Sequence, residues 1–218
     1  NNSINNINIT SNIKICYNCG EYDHALRTCK KIRDPNGLLP YATCFICKKI
    51  GHISKEFYTI NNCLKSFFFK ALLVTLEPKK LNEDTLITLE QINEIDSLHQ
   101  FESLIIRTIP NTNEKLSKHY SHTNFTYIHE TALSKIREMG ILHLLVDMPS
   151  VDKEDDGGKL AGHKAFWDYP NNTRLNATIT EFIYVDSSIV DGEYMLNLQI
   201  APFENDASPS KPVLYPLK

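Results

Sequence analysis

All six cysteines of this 218-residue chain lie at or before Cys63, and this distribution constrains the fold more than any other feature of the sequence. A disulfide framework spreads its cysteines over the region that it stabilises. Pairs of cysteines close to a histidine are instead typical of metal binding in a reducing compartment. We therefore expect an intracellular protein, cytoplasmic or nuclear, with a short metal-binding end and a larger part of a different kind.

The charge follows the same division. Residues 1–57 carry eight Lys and Arg against four Asp and Glu, whereas residues 58–218 carry fifteen against twenty-two. Residues 1–13 are rich in asparagine and offer little apolar surface to bury, so we predict a disordered lead. The sequence contains no run of 18 apolar residues, and we expect no membrane partner.

A complete set of metal ligands follows this lead, in the spacing C-x₂-C-x₄-H-x₄-C. Three thiolates and one imidazole form a closed tetrahedral shell, which is typical of structural rather than catalytic zinc. The alternative is that these are unligated surface residues. The predicted zinc ligands are Cys16, Cys19, His24 and Cys29.

The segment 14–50 resembles the CCHC zinc knuckles of eukaryotic RNA-binding proteins, through these four ligands and through the linker KKIRDPNGLLPYATCFIC. The resemblance implies binding of single-stranded RNA, with apolar side chains stacking on bases and basic side chains meeting phosphates. The alternative is that Tyr17 only covers the zinc site and that the charges are solvated. The candidate RNA contacts are Tyr17, Leu26, Arg27, Lys30 and Lys31.

A second knuckle begins but is incomplete. Cys44, Cys47 and His52 repeat the first three ligands, but Phe57 occupies the position of the fourth, and a phenyl ring cannot bind zinc. We interpret Cys63, the only later thiol, as a core cysteine rather than a displaced ligand.

A second resemblance begins at Gly51 and extends to Lys218. Its landmarks are IIRTIPNT (105–112), YSHTN (120–124), HLLVDMPSVDKEDDGGKLAGHKAFW (143–167), ATITEFIYV (177–185) and LNLQIAPFENDASPSKPVLY (196–215). In this order they resemble the cyclase family of metal-dependent hydrolases, which includes the kynurenine formamidases of tryptophan catabolism. The resemblance implies an α/β fold of the swivelling β/β/α type, truncated at its N-terminus and preceded by the small knuckle. The Gly-His at 51–52 is common to both motifs, so Phe57 belongs to the second family's sequence.

The cyclase resemblance also implies a catalytic site for amide or formamide hydrolysis. His52 matches the last histidine of the motif H-x-G-T-H-x-D-x-x-x-H, a proton shuttle, while His163 and Glu181 match later ligands of a divalent metal. Ile46 and Lys48 stand where the motif has its second histidine and its bridging carboxylate. Because half of the metal site is missing, we expect impaired activity.

The remaining site residues have simpler alternatives. Glu181 could face solvent on an alternating strand, and His163, beside Phe166 and Trp167, could be a packed, hydrogen-bonded core histidine. Asp147 and Asp152 could orient the site, and the acidic segment 152–158 is interpreted as a solvated loop. We expect His122 and His143 to be structural.

Periodicity supports a mixed α/β domain without reference to any family. Apolar runs predict strands at 70–77, 103–109 and 140–147, and helical spacing predicts helices at 88–95 and 129–140, the latter ending at Gly140. The alternating segment 177–185 is predicted to be a strand that pairs with 192–203 in a hairpin or meander.

Three hypotheses remain open from the sequence. The first is a cyclase-type hydrolase acting on a small formyl-amide substrate, with a homo-oligomer completing the site. The second is a zinc-knuckle RNA-binding protein with a non-catalytic C-terminal scaffold. The third is a fusion or truncation product without an evolved function, favoured by the Gly-His that both motifs share.

Overall fold

The computed structural model describes residues 59–202 and 207–217. Several predictions therefore lie outside the described residues: the Asn-rich lead, both knuckle segments, the proton shuttle His52 and every candidate RNA contact. None of the described helices is long and apolar enough to cross a membrane.

The described residues form nine strands and four α-helices. The strands are β1 (Phe68–Leu76), β2 (Lys79–Leu81), β3 (Asp84–Ile87), β4 (Ser103–Thr108), β5 (Tyr127–Ile128), β6 (His143–Val146), β7 (Thr178–Thr180), β8 (Gly192–Ile200) and β9 (Ser210–Pro216). The helices are α1 (Ile60–Cys63), α2 (Leu89–Asn93), α3 (Glu130–Glu138) and α4 (Ala161–Trp167). Two short 3₁₀ turns cover Leu98–Gln100 and Asn113–Leu116.

Six strands make the main sheet in the order β7-β6-β4-β1-β8-β9. The strands β1, β4, β6 and β7 are parallel to one another, whereas β8 and β9 are added antiparallel on the other side of β1. A smaller sheet has the order β2-β3-β5. The predicted mixed α/β class is confirmed.

The central strand β1 is apolar on both faces because both faces are covered. Phe69, Ala71 and Leu73 pack into one core cluster, whereas Leu72 and Val74 pack against another. A continuous apolar run is the pattern expected of a parallel strand buried on two sides. The larger cluster contains Phe166 of α4 together with the buried face of α3, so the helices lie against that face of the sheet.

Most of the predicted elements are present within a few residues of their predicted bounds. The predicted strands at 70–77, 103–109 and 140–147 correspond to β1, β4 and β6, and the predicted helices to α2 and α3. Gly140 follows α3 with a φ of 89°, a left-handed conformation that glycine adopts without steric cost.

The prediction for segment 177–185 is wrong in length and in pairing. Only Thr178–Thr180 is a strand, and it pairs in parallel with β6, whereas β8 pairs with β1 and β9. The chain leaves the sheet because Phe182 has a left-handed φ of 58° and donates its amide to the carbonyl of Met148. The antiparallel hairpin partner of β8 is therefore β9 and not segment 177–185.

Candidate metal-binding site

The candidate site lies at the edge of the sheet where the parallel strands end. Thr108 is the last residue of β4, Asp147 follows β6, and Glu181 follows β7. Because these strands are parallel and adjacent, their carboxyl ends meet at one edge. In open α/β sheets ligands bind at this edge.

His163, on α4, is held at this edge by Asp152. Its Nδ1 lies 2.5 Å from Asp152 Oδ2, and Asp152 also accepts hydrogen bonds from the amides of Gly162 (2.5 Å) and His163 (3.4 Å). Burial opposes ionisation of Asp152, but the hydrogen bonds from the His163 ring and the Gly162 amide outweigh it, and the pKa of Asp152 lies below its ordinary value. Because the carboxylate accepts the Nδ1 proton, Nε2 is the ring nitrogen left to bind a metal.

Gly162 permits this close approach of the helix to Asp152. A Cβ on Gly162 would lie 2.7 Å from Leu133 Cδ1 and 2.8 Å from Asp152 Oδ1, closer than real Cβ atoms come to such neighbours. Any larger residue would therefore push α4 away from the carboxylate that orients His163.

Glu181 faces the free nitrogen of His163. Its Oε1 lies 3.6 Å from His163 Nε2 and accepts the amide of Val151 at 3.0 Å. Two donor atoms that each lie about 2.1 Å from one tetrahedral zinc ion would be about 3.4 Å apart, so the observed separation fits a shared divalent metal. Glu181 does not point freely into solvent, since its side chain is 28% exposed and accepts the Val151 amide. His163 is hydrogen-bonded to Asp152 and lies 5.3 Å from the ring of Trp167, so the alternative of a packed, hydrogen-bonded histidine also describes it.

The two residues are not enough for a complete metal site. Within 59–202 and 207–217, no three His, Cys, Asp or Glu side chains are arranged to hold a metal ion. Asp152 is adjacent, but it binds the other nitrogen of His163. The described part of the site therefore fits the metal by geometry and falls short in ligand number.

The two aspartates considered as orienting groups have different roles. Asp152 orients His163 directly and is 5% exposed, so the interpretation of the loop at 152–158 as solvated is wrong for its first residue. Asp147 accepts the amide of Thr108 at 2.7 Å and Lys115 Nζ at 2.7 Å. It joins the ends of β4 and β6.

The other polar side chains that the sequence singled out are placed apart from the metal ligands. His143 is buried on β6 with its Nδ1 2.9 Å from Thr178 Oγ1. Cys63 is partly buried and donates its thiol to the carbonyl of Ala177 at 3.7 Å. Burial raises the pKa of the Cys63 thiol to about 11, which disfavours the thiolate that metal binding requires.

Comparisons with solved structures place this fold among the cyclases and metal-dependent hydrolases. An isatin hydrolase bound to the product analogue thioisatinate is 13% identical with a TM-score of 0.53, over 76% of this chain and 66% of that one. A predicted metal-dependent hydrolase from Bacillus stearothermophilus is 17% identical with a TM-score of 0.51, over 75% and 69%. A potential metal-dependent hydrolase with cyclase activity is 16% identical with a TM-score of 0.50, over 68% and 65%. These identities show the fold alone.

Comparisons by sequence found two kinds of match. The family model described as a putative cyclase matches residues 48–153. Zinc finger CCHC domain-containing protein 9 of Homo sapiens is 45% identical over 43 residues, which is 19% of this chain and 16% of that protein. The Mus musculus protein of the same name is 43% identical over the same length. The chain thus spans less than a fifth of these curated relatives.

Both resemblances stated from the sequence are confirmed. The cyclase match concerns residues 48–153, the shared fold covers about three quarters of the chain, and the likeness to CCHC zinc fingers concerns a short segment of 43 residues. Residues 48–153 match the cyclase family, and the described residues have the fold of its metal-dependent hydrolases.

Proposed function

We propose that residues 51–218 are a metal-dependent amide hydrolase of the arylformamidase type, with a metal site that one chain leaves incomplete. The observation that carries the proposal is the pair His163 and Glu181, with donor atoms 3.6 Å apart at the carboxyl edge of the sheet. Asp152 fixes the ring of His163 so that Nε2 points to Glu181. This is the carboxylate–histidine arrangement found behind metal ligands in proteins.

Each residue has a defined part in this proposal. A bound divalent metal supplies Lewis-acid activation of the amide carbonyl and of a water molecule. His163 and Glu181 would hold that metal, and the amide of Val151 keeps the Glu181 carboxylate in place. By the resemblance alone, His52 would be the proton shuttle and the substrate would be a small formyl amide. The putative-cyclase match over residues 48–153, which includes His52, supports a hydrolase of this type, whereas the roles of His163 and Glu181 rest on the resemblance and on their 3.6 Å separation.

The incomplete ligand set makes weak metal binding part of the proposal. Catalytic zinc sites have three protein ligands and one open position, whereas two are brought together here. Lys48 would repel a metal at the position of the bridging carboxylate. We propose that a second copy of the chain supplies the missing ligands in a homo-oligomer, and that the isolated site is impaired.

Metal content and hydrolysis of formanilide by the full chain test this function. The Cys16→Ser change removes one ligand of the proposed zinc knuckle. In this variant we expect zinc still to bind and the hydrolysis rate to rise with added zinc. His163→Gln should abolish both. Asp152→Asn should weaken metal binding by about 10- to 100-fold, because the ring of His163 loses its orienting partner.

The matched control is His99→Gln, which changes an exposed histidine outside the candidate site. It should leave metal binding and hydrolysis unchanged. Failure of the Cys16→Ser variant to bind zinc at millimolar concentration, together with no hydrolysis above the uncatalysed rate, would refute the proposal.

A second function is favoured by the short segment that resembles CCHC zinc fingers. We propose that Cys16, Cys19, His24 and Cys29 hold a structural zinc ion and that this knuckle binds single-stranded RNA. Changing Cys16 to Ser should remove one zinc per chain and abolish binding of a fluorescent oligonucleotide. Unchanged RNA binding by that variant would exclude this function.

A further inference from the structure

The strands β8 and β9 extend the main sheet beyond its helices. The core cluster on the helix side contains residues of β1, β4, β6 and β7, but among the described residues it contains none of β8 or β9. An antiparallel sheet that is open to water on one face usually carries polar side chains on that face. Apolar side chains on the uncovered face of β8 and β9 would therefore need an explanation.

The uncovered face is apolar at its centre. Side chains that pair directly across neighbouring strands lie on the same face of a sheet. Two successive rows cross β1, β8 and β9 in this way: Phe68–Asn197–Val213 and Lys70–Met195–Tyr215. Apart from Asn197 and Lys70, these side chains are apolar or aromatic. Phe68 is 57% exposed and Tyr215 is 49% exposed.

The position of Lys70 shows which way this face points. Its Nζ lies 4.6 Å from the centroid of the Phe101 ring, and Phe101 belongs to the helix-side cluster. The two rows therefore lie on the helix side of the sheet, beside the helices rather than beneath them. We call the four side chains Phe68, Met195, Val213 and Tyr215 the apolar sheet face.

The apolar sheet face has opposite charges at its two ends. Lys211 lies in the row of Gln199 at one end, and Glu193 lies in the row of Leu72 at the other end. The two rows are six residues apart along β8, which corresponds to about 20 Å. Lys211 is exposed. Glu193 lies 3.1 Å from Lys70 of the same chain, but 51% of its side chain remains exposed.

Pairing of a further strand with the open edge of β9 is disfavoured. Among the described strands β9 is the last in the order of the main sheet, and it contains Pro212 and Pro216. Proline has no amide to donate to another strand, and it protects the edges of sheets for this reason. A second protein that covers the apolar side chains therefore has to bind to the face of the sheet rather than to its edge.

We propose that the apolar sheet face binds the same face of a second copy of the chain in a symmetric dimer. A two-fold axis in the plane of the interface and perpendicular to the strands exchanges the two ends of the face. Lys211 of each copy then lies within reach of Glu193 of the other, so the opposite charges select a second copy as the partner. This surface is inferred from the sheet alone and does not depend on the proposed hydrolase function.

The size of the face predicts weak association. The rows from Lys211 to Glu193 cover roughly 20 Å by 10 Å, which is less than the roughly 800 Å² that each partner contributes to a standard interface. Sedimentation velocity of the full chain at roughly 5 to 500 µM should show a reversible monomer–dimer equilibrium with a dissociation constant of roughly 100 µM. Phe68→Ser should raise this constant about tenfold, because an aromatic ring at the centre of the interface is lost.

Two charge reversals test the symmetry of the dimer. Lys211→Glu brings two carboxylates together at each end, and Glu193→Lys brings two ammonium groups together, so each variant alone should associate about tenfold more weakly. A mixture of the two variants again places unlike charges at both ends and should associate within about threefold of the unmodified chain. Melting curves measured by circular dichroism establish that each variant is folded.

Three further variants are the matched controls. Tyr215→Ser removes the ring of the neighbouring row and should act as Phe68→Ser does, which keeps the test available if one of the two is unstable. Leu175→Ser changes an apolar side chain of 49% exposure between α4 and β7 and should leave association unchanged. His163→Gln alters the candidate metal site and should associate as the unmodified chain does.

Several outcomes would overturn the proposal. A monomer at every concentration would do so and would leave the apolar sheet face to a different protein. A dimer that persists in both Phe68→Ser and Tyr215→Ser would do so as well, as would charge variants that associate no better together than alone. A dimer that is lost in His163→Gln but kept in Phe68→Ser would instead place the contact at the metal site.

The result also separates this proposal from the hydrolase function. A dimer that depends on Phe68 in a chain without zinc-dependent hydrolysis would keep the apolar sheet face as the interface and remove the hydrolase function. Zinc-dependent hydrolysis by a chain that is monomeric at every concentration would do the reverse.

Discussion

Replacing Asp147 by alanine is expected to lower the free energy of unfolding by about 3–5 kcal/mol. The side chain of Asp147 is 1% exposed, and Lys115 Nζ lies 2.7 Å from its Oδ2. The lysine side chain is itself only 15% exposed. Removing the carboxylate leaves this cation without its counter-charge, and a buried charge that has lost its partner is far more costly than an absent pair.

Replacing Asp147 by alanine would also remove hydrogen bonds to Thr108 at the end of β4. Asp147 accepts both the amide of Thr108 at 2.7 Å and its hydroxyl at 3.0 Å. An unsatisfied buried amide adds about 1–3 kcal/mol of desolvation cost. Urea unfolding monitored through Trp167 measures the effect, because this single tryptophan lies on α4 in the same part of the chain.

Two matched variants make the interpretation specific. Glu114→Ala removes an exposed carboxylate from the turn that carries Lys115, and it should change stability by less than about 0.5 kcal/mol. The double variant Asp147→Ala with Lys115→Met should lose less stability than the two single changes together, because neither buried charge is then left alone. A loss for Asp147→Ala no larger than for Glu114→Ala would contradict the expected role of the pair.

The main sheet could be predicted from local pattern where burial is two-sided. The apolar runs that form β1, β4 and β6 are short and nearly continuous, which is the pattern expected of strands covered on both faces. Segment 177–185 could not be assigned in the same way. Its alternation is real, but the left-handed residue Phe182 turns the chain away after three paired residues. Backbone strain held by a distant carbonyl leaves no periodic signal in a sequence.

The candidate site was accessible from the sequence only through resemblance. His163 and Glu181 were named by their match to family positions, and no spacing rule joins residues on α4 to residues after β7. The contact between Asp152 and His163 depends on the absence of a side chain at Gly162. A glycine inside a short helix can be present for many local reasons, so the sequence alone does not reveal this contact. The pairing of Lys115 with Asp147, which are 32 residues apart, likewise requires the fold.

A second large effect is expected in the pH dependence of stability, and it comes from His143. The ring is 2% exposed, lies 4.0 Å from the ring of Phe69, and contacts Thr178 Oγ1 through Nδ1 at 2.9 Å. Burial lowers the pKa of His143 from 6.5 to about 4, and the positive charge of Arg174 adds to the shift. The folded protein therefore keeps His143 neutral through the mildly acidic range.

The direction of this pH dependence follows from whether the folded or the unfolded chain binds the proton. Between pH 6.5 and about 4 the unfolded chain protonates this histidine, whereas the folded chain does not. The contribution of His143 to the free energy of unfolding is then fully present above pH 6.5. It falls as the pH is lowered, by at most about 1.4 kcal/mol per pH unit. The total contribution of His143 is about 3 kcal/mol, and it levels off near pH 4.

Urea unfolding of the full chain at a series of pH values, followed through Trp167, measures this contribution. Carboxylates with lowered pKa values, such as Asp84 and Glu154, also lose stabilising interactions as the pH falls, so the difference from a variant is the informative quantity. His143→Gln keeps a polar partner for Thr178 and removes the titration. The unmodified chain should lose about 3 kcal/mol more than this variant between pH 7 and pH 4. Parallel curves for the two proteins would show that His143 is protonated in the folded state, or that its environment is open to water.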